Sequence, residues 1–143
     1  MIDTSSWVFE SADPVAYAPY LRASPLPGNG AKRVLLIFAK GDRIVPNPTT
    51  VAIIRSGKLT DSTTLYRADL AYATNPSVMP NNPHNFFLDG VDTAEKPFAL
   101  AAHRQIAAFF KTDGESIIVP SGGSPIFETP LVGPLPEGVD FYP

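Results

Sequence analysis

Apolar residues run without a break from Val34 to Ala39 and stop at Lys40-Gly41-Asp42. A short run of this kind between turn residues predicts a strand buried on both faces of a parallel sheet. Beyond it, Asn47-Pro48 reads as a helix cap with proline at the first helical position. Val51-Ala-Ile-Ile-Arg55 continues that helix and Gly57 ends it. Thr63 to Leu70 is β-branched and aromatic and predicts the next strand. Strand, helix and strand in this order form a βαβ unit, for which a right-handed crossover is expected.

The flanks carry weaker patterns. Ser11 to Arg22 predicts a short helix starting at Ser11 or Asp13 with Pro14 in its first turn, and Pro25, Pro27, Gly28 and Gly30 form a loop. Residues 71–83 read as a Pro- and Asn-rich loop containing Asn75-Pro76 and Asn81-Asn82-Pro83, after which comes His84. Pro97 to Lys111 is the clearest helix. Phe98, Ala102, Ile106, Phe109 and Phe110 line one side of it and Gly114 stands as its stop. Ile117-Ile-Val-Pro120 suggests a short edge strand, and the remainder reads as a Pro- and Gly-rich tail laid over a surface. The whole is expected to be one domain over 1–143, with a lead-in at 1–33, a βαβ-plus-helix body at 34–114 and an extended tail at 115–143.

Composition narrows the classes. At 143 residues and 44% apolar the chain suits a single domain with a real core. Net charge is −3 and no Lys/Arg run appears, which argues against binding to nucleic-acid phosphates. Cysteine is absent, so disulfides, thiolate metal sites and cysteine nucleophiles are excluded, while the compartment stays open. The start, Met-Ile-Asp-Thr-Ser-Ser-Trp, has no positive n-region or long apolar h-region, so it does not read as a signal peptide. No stretch approaches the roughly 18 apolar residues of a membrane span. Sixteen prolines gather toward both ends.

Asp42 stands at the end of a strand, where open α/β sheets place ligands and chemistry. Two roles are open to it: orienting a histidine, or capping the turn after the strand. His84 follows the next strand at a distance compatible with a return to the side of Asp42. It is a candidate general base or, with no partner, a loop histidine bonded to backbone. His103 falls near the edge of a helix stripe beside Arg104 and reads as a surface or boundary residue. The two histidines form no HxxxH or HxH pattern, so no metal site is expected. Gly28-Asn29-Gly30 precedes a strand instead of following one, so no phosphate loop and no cofactor are expected. Tyr66, Tyr72, Phe86 and Phe87 either line an acyl pocket or belong to the core.

Gly41-Asp42-Arg-Ile-Val-Pro46, the helix after it, a strand and a loop histidine resemble the closing section of an α/β-hydrolase. Ser11 to Arg22, Lys40 to Thr50, Asn82-Pro-His-Asn-Phe-Phe87 and Phe127-Glu-Thr-Pro-Leu131…Pro134-Leu-Pro-Glu137 are similar to the C-terminal portion of large bacterial extracellular lipases and esterases. The resemblance implies a partial α/β-hydrolase-like parallel sheet with extended Pro-rich N- and C-terminal segments. It also implies Asp42 as triad acid, His84 as general base and a small ester or lipid as substrate. The family's nucleophile is a serine in G-x-S-x-G that precedes both. This sequence has no such motif and no counterpart of the oxyanion loop. Its nearest imitation, Ser121-Gly-Gly-Ser124, follows His84, which leaves Ser121 and Ser124 as the least implausible local nucleophiles.

Two parallel strands do not close a sheet, and an apolar, uncharged strand with a bare edge invites pairing with another chain. A homo-oligomer, or association with a missing N-terminal half, is therefore expected. The function is either that of a carboxylic ester hydrolase module or that of a non-catalytic, hydrolase-derived scaffold binding apolar ligands or partners.

Overall fold

The computed structural model describes residues 9, 11–88, 93–120 and 125–138. Asp13 opens helix α1 (Pro14–Leu21), its Oδ1 accepting from Val15 N–H at 2.9 Å, with proline at the first helical position. Pro19 lies inside this helix and has no N–H to give to the carbonyl of Val15. The Ser56 hydroxyl fills the vacancy, donating to Val15 O at 2.8 Å and stitching α1 to the next helix.

Strand β1 (Leu36–Ala39) is followed by helix α2 (Asn47–Gly57) and, after a 3-10 turn at Thr60–Ser62, by strand β2 (Thr63–Tyr66). The two strands are parallel, Leu36 opposite Thr63 and Ala39 opposite Tyr66, so the expected βαβ unit is present. Its details differ from the pattern-based reading in three places. Asn47 does not cap α2; Pro46 holds that position, and Asn47 turns its buried amide back onto the loop after β1. Gly57 is the last helical residue, while the left-handed residue that ends the helix is Lys58, with φ of +52°. What Gly57 supplies is room: a Cβ there would lie 3.0 Å from Ala18 O of α1 and 2.8 Å from Leu59 Cγ. Finally, the second strand ends at Tyr66 and not at Leu70. Ala68–Thr74 forms helix α3, with Asp69 in its first turn, on a segment whose alanines favour a helix over a strand.

Helix α4 (Lys96–Lys111) is followed by a two-residue strand β3 (Phe127–Glu128), antiparallel to β2, giving a mixed sheet of order β1-β2-β3. The sheet is therefore not purely parallel. The expected strand at Ile117–Pro120 is absent; that segment is irregular, and its Ile118 carbonyl is tied to α4 by Gln105 Nε2 at 2.7 Å.

Both faces of the sheet are covered. On one, Ala39, Tyr66 and Phe127 pack with Phe86 and with Ala101 and Ala102 of α4. On the other, Phe38 and Leu65 meet Ile54 of α2, Leu59 and Leu131, with Leu135 at the margin. After β3 the tail thus lies on the α2 side, through Leu131 and Leu135. Tyr66 is at the centre of the first cluster, with ring centroids 4.4 Å from Phe86, 5.5 Å from Phe98 and 5.4 Å from Phe127. Each such aromatic pair adds about 0.5–1.5 kcal/mol beyond area burial.

The buried line of α4 runs through Ala99, Ala101, Ala102 and Gln105. Of the expected stripe Phe98, Ala102, Ile106, Phe109 and Phe110 only Ala102 is fully buried; Phe98, Ile106 and Phe109 are half-buried and Phe110 is 75% exposed, so the line is rotated. The reason is the narrow sheet. β1 is an edge strand, so among the described residues no strand continues beyond it to cover the far end of α4. For the same reason Leu36 and Ile37 are half-buried, not fully buried as a central strand requires.

Candidate active site

The chain leaves β1 at Ala39 and reverses at Gly41, whose φ of +87° suits glycine. Asn47 fixes this reversal from α2: its Oδ1 accepts from Gly41 N–H at 2.9 Å and its Nδ2 donates to Ala39 O at 2.7 Å. The next residue is Asp42, nearly buried at the carboxyl end of the strand.

Asp42 makes the contacts of both readings at once. Its Oδ1 accepts from Ile44 and Val45 N–H groups, each at 2.8 Å, capping the turn. His84 Nδ1 lies 3.0 Å from the same oxygen and 2.9 Å from Oδ2. The side chains are 12% and 28% exposed, Asp42 the deeper. An ionised carboxylate only accepts, so the proton of the neutral imidazole belongs on Nδ1 and the lone pair on Nε2. Among the described residues nothing bonds Nε2, and no serine hydroxyl reaches His84.

The His84 loop is held from several directions. Phe86 N–H donates to Pro83 O at 3.0 Å, and the Phe86 ring packs on Tyr66 at the end of β2. His103 Nε2–H donates to the carbonyl of Phe87, so this half-buried helix residue has a partner that its position alone did not reveal. Asn82 Oδ1 accepts from Arg43 N–H at 3.2 Å and from His84 N–H at 3.3 Å. Sequence reasoning read Asn47 as a cap and Asn82 as a turn residue and so missed both contributions. The residue types were in view, but their partners lie on other loops.

Charges at this end of the sheet are mutually compensated. Asp69 accepts from Arg67 Nε at 2.8 Å, from Arg67 Nη2 at 2.7 Å and from Lys40 Nζ at 3.0 Å. Burial works to raise the Asp69 carboxyl, but the bonds from Arg67 and Lys40 outweigh it and hold it below the usual range. Lys40, Asn47, Leu65, Arg67 and Glu128 border a cavity of about 350 Å³. A second cavity of about 240 Å³, apolar, lies between the edge of β1 and α4, lined by Leu35, Ile37, Phe87, Ile106, Phe109 and Phe110. Tyr66 and Phe86 are core residues, whereas Phe87 reaches this second cavity.

Glu95 is a buried carboxyl that the sequence reading passed over. It lies at the start of α4, 4% exposed, and accepts from Tyr66 Oη at 3.0 Å. Burial pushes it above the usual carboxylate range, and the bond from Tyr66 works in the opposite sense.

Ser121 and Ser124 lie outside the described residues. Among the described residues no three His, Asp or Glu side chains gather to hold a metal ion, and no helix is long and apolar enough to cross a membrane. Comparison with family models, with curated proteins and with solved structures gave no match.

Proposed function

We propose that Asp42 and His84 are the acid and base of a serine-hydrolase type of site acting on carboxylic esters, in a chain related to the closing section of α/β-hydrolases. The observation that carries this reading is the Nδ1–carboxylate contact at the carboxyl ends of two parallel strands, with Nε2 left facing away from the acid. A carboxylate on Nδ1 fixes the tautomer and stabilises the imidazolium that forms when Nε2 takes a proton. In the reaction Nε2 removes the proton of a serine hydroxyl as the oxygen attacks the ester carbonyl. It then returns that proton to the leaving alkoxide, and water repeats the cycle on the acyl-enzyme. The serine comes from outside the described residues: from another chain segment or subunit, or locally from Ser121 or Ser124. In the absence of a serine, His84 activates water directly. The apolar cavity beside Phe87 suits the hydrocarbon part of a small ester or lipid.

A second reading is favoured by the same cavity and by the outer edge of β1, which pairs with no strand among the described residues. There the chain is a hydrolase-derived scaffold that associates with a second copy or with a separate N-terminal half and performs no turnover.

Turnover of a short-chain p-nitrophenyl ester by the parent, His84→Ala and Asp42→Asn chains separates the readings. The catalytic reading expects each variant to lose about 10²–10⁴-fold, and equal rates in all three reject the assigned roles. Fluorophosphonate labelling with peptide mapping tests the local serines. A label on Ser121 or Ser124 identifies the nucleophile, and turnover without any labelled serine points to activated water.

A further inference from the structure

We propose that Asn82 is the positioning residue that sets the Asp42–His84 geometry, an inference that rests on the dyad reading above. Its side-chain oxygen accepts from two main-chain groups at once: the N–H of Arg43, next in the chain to Asp42, and the N–H of His84 itself. Those groups belong to different loops, one leaving β1 and one following α3, and Asn82 draws them onto a single atom. The distances, 3.2 and 3.3 Å, lie at and just beyond the long end of the usual N–H···O range, with two donors sharing one acceptor.

Each loop has its own internal restraints. On the first, Asp42 Oδ1 holds Ile44 and Val45, and Asn47 holds Gly41. On the second, Pro83 is buried, Phe86 is packed on Tyr66 and Phe87 is tied to His103. These restraints shape the loops singly. The contact between a carboxylate and an imidazole also requires the loops to be held at a fixed separation from each other, and a displacement of about 1 Å is enough to impair a catalytic geometry. Asn82 meets that requirement through backbone, so the side chains of Asp42 and His84 need not supply it themselves. An amide oxygen suits the position because it accepts twice without placing a second negative charge beside Asp42.

The test is the tautomer of His84, read from the imidazole ¹⁵N shifts of the uniformly labelled chain above the imidazole titration. The parent is expected to show the proton on Nδ1, and Asp42→Asn to lose that signature. Asn82→Ala is expected to lose it as well, giving a mixture of the two tautomers. If Asn82→Ala does not fold, Asn82→Ser takes its place, since its shorter arm reaches at most one of the two N–H groups and the same loss is expected. Ester turnover, where measurable, falls about tenfold in Asn82→Ala, in kcat and not in KM. An unchanged Nδ1–H signature in the alanine or serine variant, with the signature lost in Asp42→Asn, overturns the role of Asn82 and leaves the dyad intact. A parent chain without the Nδ1–H form overturns the dyad reading itself, and the role of Asn82 falls with it.

Discussion

Glu95 shows how a single buried group writes a pH dependence into the molecule. Its carboxyl is raised by burial, so the folded state holds this proton more tightly than the unfolded chain, whose glutamates titrate near about 4.3. Stability contributed by Glu95 is therefore greatest at acid pH and falls as pH rises from about 4 through the raised value. Glu95→Gln keeps an oxygen for Tyr66 Oη and cannot ionise. Thermal unfolding at pH 7 is expected to shift up by a few degrees in this variant, with the gain vanishing near pH 4; an equal shift at both pH values would show that charge is not the cause. Asp69 has the opposite sign. Its carboxyl is depressed, so its contribution is present at neutral pH and lost on acidification through the depressed value. The Asp42–His84 pair was readable in the chain only as one of two roles for each residue, because a carboxylate after a strand also caps turns and a loop histidine also bonds backbone. Asn82 was not readable, since an asparagine before proline is an ordinary turn residue and its two donors belong to other residues.

At the scale of elements, the contact of α1 with α2 rests on three neighbouring details. Pro19 frees a carbonyl, Ser56 satisfies it, and Gly57 lets the helices approach. Gly57→Ala adds a good helix former, worth about 1 kcal/mol in an open helix. Its Cβ, however, meets a backbone oxygen of α1 at 3.0 Å and Leu59 Cγ at 2.8 Å. Overpacking of this kind costs about 1–3 kcal/mol. The net expectation is a loss of about 1 kcal/mol and a midpoint lower by a few degrees, and a raised midpoint would show that α1 shifts without cost. Periodicity located α1, α2, α4 and the first strand well. It failed at the end of β2, where the alanines of 68–74 favour helix α3, and at β3, which exists because Phe127 fits beside Tyr66, not because its two residues carry a strand pattern.

For the whole molecule the decisive feature is the open side of β1. Its outer edge has no strand among the described residues, and the apolar cavity next to it ends in the exposed ring of Phe110. An edge without lysine or proline on its apolar strand is poorly defended against pairing. Light scattering of concentrated protein is expected to show a species larger than one chain. Phe110→Ser, a change at a solvent-exposed site, is expected to shift it toward monomer with little change in unfolding temperature. A monodisperse parent monomer at high concentration would remove the proposal of self-association.

The sequence by itself determined the βαβ unit and the long helix and placed Asp42 and His84 after successive strands, because hydrophobic spacing and turn chemistry are local and survive without knowledge of the partner. Tertiary structure alone decided the mixed sheet, the rotation of α4 and the work of Asn47, Asn82 and Glu95. Each of those depends on which distant backbone group or side chain arrives at hydrogen-bond distance, and such arrivals are set by packing of the whole chain.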